Sequence, residues 1–163
     1  MIGFLSGLVK SLRGQQAVIL VNGVGYTVSV PASQTPAIGK NIDLYIHTHV
    51  REDTLALYGF KDEVALDLFE NLISVSGVGP KSALAIISVA SAEAIKKAIE
   101  TTNLNFFTAV PGICKKSAQK IIIDLKPKLT RLDADLINLD GNGQLNQALT
   151  QLGFTKIEII SVL

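Results

Sequence analysis

The stretch Ser76-Gly77-Val78-Gly79-Pro80-Lys81-Ser82-Ala83 recurs in altered form as Pro111-Gly112-Ile113-Cys114-Lys115-Lys116-Ser117-Ala118. Each copy follows an apolar helical pattern and leads into a second one, so each predicts two helices joined by a tight turn. The start of a helix presents unpaired backbone N–H groups and the positive end of the helix dipole, which together favour a phosphate. A lysine inside each helix adds a positive charge. Two such sites can hold two backbone phosphates without reading a base.

Composition and charge agree with a folded, polyanion-binding chain. The 163 residues are 48% hydrophobic and 18% charged, which favours one or two folded domains over disorder. The net charge is only +1, but residues 101–131 hold six Lys and Arg residues against one acid. The excess of positive charge therefore surrounds the second turn, although a solvated helix face would have the same composition. A single cysteine excludes an internal disulfide and suits a reducing cytoplasm.

Residues 1–60 predict strands without intervening helices. Ile2–Val9 favours a strand over a signal peptide, because no basic stretch precedes it. Asn22-Gly23 predicts a hairpin turn after the apolar run Ala17–Val21. Alternating apolar residues follow in Tyr26–Val30 and again around Leu44. Five short strands in this length indicate a small β-barrel, and the pattern alone does not distinguish among barrel types.

The last strand connection carries two adjacent carboxylates, Glu52 and Asp53, between Val50 and Leu55. Adjacent strand residues point to opposite sides, which argues against a pair of cooperating catalytic acids. Solvated turn residues are the ordinary interpretation. In a phosphate-binding protein, however, negative charge directed at DNA would repel its backbone.

Helical periodicity begins at residue 61 and continues to the second turn. The pattern predicts a helix over residues 61–74, a helix over Ala92–Glu100 with Ser91 as its N-cap, and a short helix over Leu104–Ala109. The helix that starts at Lys115 is expected to end near Lys126, because Pro127 lacks an N–H group. Residues 130–142 predict a flexible linker, and residues 143–163 a partial C-terminal helical module.

Six motifs in one order carry a resemblance to a known family. They are Met1-Ile2-Gly3-Phe4-Leu5, Gly23-Val24-Gly25-Tyr26, Val50-Arg51-Glu52-Asp53, Leu57-Tyr58-Gly59-Phe60, GVGPKSALAII at 77–87 and PGICKKSAQKIII at 111–123. The last two resemble a tandem pair of helix-hairpin-helix motifs. The whole series resembles the RuvA family, the junction-binding subunit of the bacterial branch-migration machinery.

The resemblance implies an α+β multidomain fold. An oligonucleotide-binding (OB-type) five-stranded barrel at 1–62 would precede an all-α tandem helix-hairpin-helix domain at 63–129 and a short helical tail. The implied function is sequence-independent binding of four-way (Holliday) DNA junctions for branch migration in recombination and repair. The implied partners are junction DNA, further copies in a homotetramer or two tetramers, a hexameric RuvB-type motor ATPase and a junction resolvase. No cofactor, metal or membrane is implied, and the expected location is the cytoplasm.

The resemblance also assigns roles to residues. It makes Glu52 and Asp53 an acidic pin at the junction centre, and it assigns DNA contacts to Gly77, Val78, Gly79, Lys81, Ser82, Gly112, Ile113, Cys114, Lys115, Lys116 and Lys120. Gly77 and Gly79 are both expected at positive φ. Cys114 departs from the family, which has Gly there, and a side chain at positive φ would be strained by about 1 kcal/mol or more. The tail at 143–163 is shorter than the family's three-helix module, which leaves its contact with the motor open.

Three other interpretations compete with a junction binder. A nuclease or a glycosylase could use the hairpins as a DNA grip, but GVGPKS is too short for a Walker motif and no His-carboxylate metal cluster is visible. A general DNA-binding protein, or a module in which the hairpins only pack, would have the same turns. His47 and His49 share one strand face without further metal ligands nearby, and Cys114 lacks a partner base, so neither indicates catalysis.

Overall fold

A computed structural model describes the backbone of residues 1–139 and the side chains of residues 1–129. The chain divides into two compact units, Met1–Leu125 and Lys126–Leu163. The first unit contains a β-barrel and a set of helices that packs on its outer surface. The predicted C-terminal module at 143–163 lies outside the described residues.

Five strands form a closed barrel. They are β1 (Phe4–Arg13), β2 (Gln16–Val21), β3 (Val24–Ser29), β4 (Asn41–Val50) and β5 (Leu55–Phe60). The order around the barrel is β1-β2-β3-β5-β4, with β1 pairing with β4 to close it. All pairs are antiparallel except β3 with β5. The predicted five-stranded barrel is confirmed, while the expected absence of helix in residues 1–60 is wrong at one short 3-10 helix, Ala32–Gln34.

Alternation of side chains explains why the strands close. Successive strand residues point to opposite faces, and the barrel interior is filled by fully buried apolar residues, namely Val9, Ala17, Ile19, Val28, Val30 and Leu44. The hairpin between β2 and β3 is the one predicted from Asn22-Gly23, since both residues have positive φ, 47° and 85°. This turn fixes the register in which Val21 faces Val24.

The helices follow the last barrel strand in the chain. They are α1 (Glu63–Ile73), α2 (Pro80–Val89), α3 (Ala92–Glu100), α4 (Leu104–Thr108) and α5 (Lys115–Leu139), and a short 3-10 helix spans Ala32–Gln34 in the β3–β4 connection. Side chains cap three of the helices: Asp62 accepts from Ala65 N at 2.7 Å, Ser91 from Ala94 N at 3.3 Å and Asn103 from Phe106 N at 3.2 Å. Of these caps, only Ser91 was predicted from the sequence. The predicted helices at 61–74, 92–100 and 104–109 are confirmed with small differences at their ends.

The predicted end of the last helix near Lys126 is wrong, because α5 continues through Pro127 to Leu139. A proline inside a helix removes one hydrogen bond and disfavours the helix by about 3 kcal/mol. The apolar spacing of α5 nevertheless continues across it, and Leu125 and Leu129 on either side are both buried. Burial of such a stripe outweighs local propensity. The first part of the predicted linker at 130–142 is therefore helical as far as residue 139, and its remainder lies outside the described residues.

Helix α1 packs on the outer face of β4 and β5 through an aromatic cluster. The ring of Phe69, which is fully buried, lies 4.9 Å from Phe60, 5.1 Å from Tyr58 and 5.4 Å from His47. Aromatic contacts of this kind add to the burial of area. A second contact joins α2 to the 3-10 helix of the β3–β4 connection, since Ser88 Oγ accepts from Ala32 N at 2.9 Å. These contacts hold helices α1 and α2 against the barrel.

Candidate nucleic-acid interface

The two turns between helices have the same backbone geometry. Gly77 and Gly112 have φ of 90° and 86°. In the first turn, Val78 N donates to Val75 O at 3.0 Å and Ala83 N to Gly79 O at 3.0 Å. In the second, Ile113 N donates to Val110 O at 3.1 Å and Ala118 N to Cys114 O at 3.0 Å. The repeat seen in the sequence is therefore a repeat of hydrogen bonds.

Each turn is anchored by its central apolar residue. Val78 and Ile113 are only 5% and 6% exposed. Their N–H groups are already donated within the turn, so they hold the turn in place and have no N–H group to offer to an anion. Gly77 and Gly112 beside them are exposed.

Helix α2 begins with an arrangement that suits an anion. Gly79 is its N-cap and has no side chain to occupy the N–H groups of the first turn, which contains no acidic residue. Lys81 N and Ser82 N have no intrahelical acceptor because they precede Ala83, the first residue to bond back to the cap. Pro80 occupies the first helical position, where its missing N–H has no effect. The expectation of positive φ at Gly79 is wrong, since its φ is −90°.

Cys114 occupies the position of Gly79 in the second hairpin, and the strain expected there is absent. Among described residues other than glycine, only Asn22 and Thr102 have positive φ. The Cys114 sulfur lies 3.4 Å from Ser117 Oγ. Hydrogen bonds from the Ser117 side chain and then from its backbone N–H lower the pKa of the Cys114 thiol. The thiol thus covers part of the second helix N-terminus, a difference that the sequence comparison of the two turns did not predict.

Positive side chains surround both turns. Lys81 is exposed beside the first turn, and Lys115, Lys116 and Lys120 are exposed on the first turns of α5, which has no acid in its first turn. Their long flexible stems allow the ammonium groups to reach a phosphate that lies against the helix start. The predicted lysines therefore lie on the same local surfaces as the N–H groups.

The two carboxylates form the tip of the β4–β5 hairpin. Arg51 N donates to Thr54 O at 2.8 Å and Thr54 N to Arg51 O at 3.4 Å, which closes a turn around Glu52 and Asp53. Both acids are exposed, and Asp53 Oδ1 accepts from Thr54 Oγ1 at 3.0 Å. Because they lie in the turn and not in a strand, the alternation of strand side chains does not separate them.

His47 and His49 share one strand face, as predicted, with ring centroids 6.1 Å apart. His47 Nδ1 donates to Glu70 Oε1 of α1 at 2.9 Å, and His49 Nε2 accepts from Arg51 Nε at 2.9 Å. No group of three potential metal-ligating side chains is found in residues 1–129. The contact between His47 and Glu70 was not predictable from the sequence, because helical and strand spacing do not indicate which elements pack together.

A closed five-stranded barrel followed by two helix-hairpin-helix turns with exposed N-termini and lysines defines a class of nucleic-acid-binding proteins. Residues 1–59 match the RuvA N terminal domain family, and residues 69–127 match the family described as a SAM-like helix-hairpin-helix tandem. Among the described helices, none combines the length and apolarity that a membrane span requires.

Curated relatives extend this match over most of the chain. Holliday junction branch migration complex subunit RuvA of Acholeplasma laidlawii (strain PG-8A) is 45% identical over 157 residues, covering 96% of this chain and 84% of the relative. The subunit of the same name from Dehalococcoides mccartyi (strain CBDB1) is 39% identical over 164 residues, covering 97% and 84%. That from Caldanaerobacter subterraneus subsp. tengcongensis is 38% identical over 169 residues, covering 100% and 89%. The chain belongs to the RuvA family.

Proposed function

We propose that this chain binds four-way (Holliday) DNA junctions through their backbone phosphates and holds them for branch migration by a partner motor. The observation that carries the proposal is the repeated turn, in which Gly77 and Gly112 place two helix N-termini at the surface with the same hydrogen bonds. Two anion sites of one geometry suit a repeating sugar-phosphate chain and require no base contact. Three relatives named above are branch migration complex subunits, which supports the same function.

The proposed contacts divide by chemistry. Backbone N–H groups around Gly77, Gly79, Ser82 and Gly112 meet phosphate oxygens, while Lys81, Lys115, Lys116 and Lys120 supply positive charge. Val78 and Ile113 are buried and hold the two turns in the conformation that these contacts require. We place Cys114 beside the second phosphate, where its sulfur and the phosphate oxygens would accept hydrogen bonds from the same helix N-terminus.

Glu52 and Asp53 are proposed to act as an acidic pin. Their charges lie together at an exposed hairpin tip, and a phosphate backbone approaching this tip would be repelled. At a junction, repulsion at the centre favours separation of the strands where the arms meet. The pin therefore complements the hairpins, which attract the same backbone.

The proposal includes an assembly and partners. A homotetramer, alone or as two tetramers, would present the pins at one junction, and a hexameric RuvB-type motor ATPase and a resolvase would act on the held DNA. The chain itself is proposed to be a non-catalytic subunit in the cytoplasm. The proposed domain limits are 1–62 for the barrel and 63–129 for the helix-hairpin-helix domain. The predicted linker at 130–142 begins inside α5, which continues to Leu139.

A gel shift that compares a four-way junction with duplex DNA of equal length tests the function. Lys81→Glu with Lys116→Glu should abolish junction binding, because two repulsive charges replace two attractive ones at the helix starts. The matched control, Lys40→Glu with Lys97→Glu, makes the same charge change on exposed lysines outside the turns and should retain most binding. Equal binding by the turn variant and the parent would overturn the proposal. Cleavage of the junction by the purified chain with Mg²⁺ would instead indicate an enzyme.

A further inference from the structure

A row of polar side chains runs along the outer face of β4 from helix α1 to the acidic turn. Glu70 bonds to His47, the next ring in the row is His49, and His49 bonds to Arg51. Residues at alternate positions of a strand share a face, so the order of these groups follows from their spacing. Arg51 is the last member and immediately precedes Glu52.

The direction of the Arg51 side chain is unexpected for its surroundings. An arginine beside two carboxylates would ordinarily pair with one of them, since a guanidinium matches a carboxylate in shape and charge. Among residues 1–129, a close contact between a carboxylate and a basic side chain joins His47 to Glu70 and does not include Arg51. Arg51 Nε instead donates to the neutral ring of His49 at 2.9 Å. This bond leaves the two terminal amino groups of Arg51 for another partner.

We propose that His49 is a positioning residue that holds Arg51 away from Glu52 and Asp53, so that the acidic turn keeps its negative charge and Arg51 meets a backbone phosphate beside it. The inference rests on the proposed function, because it needs DNA at this turn. It adds to the acidic pin a positive group at its base. Glu52 and Asp53 repel the DNA backbone at the tip of the turn, and Arg51 binds a phosphate next to it. The two together define where each DNA strand leaves the junction centre.

The arrangement requires an uncharged His49 with its proton on Nδ1, because Nε2 accepts the Arg51 bond. Partial burial, then the charge of Arg51 and then His47, lower the pKa of His49 below its ordinary value. The other titratable groups facing this row are Tyr58 of β5, whose ring centroid lies 6.3 Å from that of His49, and Glu70 of α1, which is bonded to His47. Protonation of His49 would turn the acceptor Nε2 into a donor and give the ring a positive charge like that of Arg51, so the hydrogen bond to Arg51 would break.

Spectroscopy tests the positioning without DNA. In the full chain at pH 7.5, the Arg51 Nε–H group should give an NMR cross-peak that exchanges slowly with water. His49→Phe keeps a ring and removes the acceptor, so the cross-peak should disappear. His47→Phe is the matched control and should leave it in place. Arg51→Ala should raise the pKa of His49 toward the ordinary value, because it removes a nearby positive charge.

Junction binding provides the second measurement. His49→Phe should weaken junction affinity at pH 7.5 by about threefold to tenfold, the range of one hydrogen bond. The double variant His49→Phe with Arg51→Ala should bind no more weakly than Arg51→Ala alone, since His49 acts through Arg51. Thermal unfolding of each variant separates loss of fold from loss of positioning.

Additive losses in the double variant, or an Arg51 cross-peak that survives His49→Phe, would overturn the inference while leaving the proposed function intact. A parent chain that binds junction and duplex equally would overturn the proposed function and the role of Arg51 at DNA. In that case the spectra would still decide whether His49 holds Arg51.

Discussion

Gly77 and Gly112 have the same left-handed backbone, with φ of 90° and 86°, at matching points of the two hairpins. A side chain is disfavoured in this region, whereas glycine is not. Apart from the glycine itself and its two chain neighbours, no atom of the described residues lies within 4 Å of the position that a Cβ would take at either residue. The requirement for glycine therefore comes from the backbone conformation and not from crowding.

Gly77→Ala and Gly112→Ala should each reduce the free energy of unfolding by about 1 kcal/mol or more, because Ala is strained at this φ. Gly79→Ala is the control, since Gly79 has φ of −90° and open space around it. Chemical denaturation of the three variants measures the difference. A loss at Gly79 as large as at Gly77 would contradict the assignment of strain.

Gly59 is required for a different reason, which is close packing inside the barrel. A Cβ at this position would lie 2.6 Å from Val28 Cγ1 and 3.1 Å from Leu44 Cδ1. Gly59→Ala should lower the free energy of unfolding by about 1 to 3 kcal/mol, as overpacked cores do. Thermal unfolding measures this loss. Gly3→Ala is the matched control, because a Cβ at Gly3 would lie in open space, and it should have little effect.

The thiol of Cys114 should react at a lower pH than an ordinary cysteine. Hydrogen bonds from Ser117 stabilise the thiolate and lower the pKa of Cys114, and the thiolate is the reactive form. Ser117→Ala removes the hydroxyl donor, so the midpoint of the alkylation rate against pH should move upward. The rate with iodoacetamide measures this midpoint, and an unchanged midpoint would show that the Ser117 hydroxyl has no role.

The acidic turn should affect selectivity for the junction and not the fold. Glu52→Gln with Asp53→Asn removes two exposed charges at nearly constant shape, so unfolding should be unchanged. Repulsion of the DNA backbone at the turn would be lost, and the ratio of junction to duplex affinity should fall. Competition binding with both DNAs measures the ratio, and branch-migration rate with a motor provides a second readout. An unaltered ratio together with an unaltered rate would remove the pin role.

Binding should depend steeply on salt, because phosphates dominate the proposed contacts. Each lysine that neutralises a phosphate contributes about 0.9 to the slope of log affinity against log salt. Lys81→Ala and Lys116→Ala should each reduce the magnitude of this slope by about that amount per chain. Lys40→Ala and Lys97→Ala, on exposed lysines outside the turns, should leave it unchanged. Filter binding over a range of salt concentrations tests the difference.

Much of this fold follows from local patterns in the sequence. The hairpin at Asn22-Gly23, the caps at Asp62 and Ser91 and the positive φ of Gly77 and Gly112 depend on residues within a few positions of one another. Their conformational preferences and short-range hydrogen bonds act before any distant contact forms. For the same reason, the period of apolar residues was sufficient to separate the strands of 1–60 from the helices that follow.

Only the tertiary structure decided the features that depend on distant parts of the chain. The continuation of α5 through Pro127, the negative φ of Gly79, the burial of Val78 and Ile113, and the bond between His47 and Glu70 were not predicted. Each follows from packing, in which burial of apolar area and pairing of polar groups outweigh the local preference of one residue. Sequence determined which residues can form the turns, and packing determined which of their atoms remain exposed.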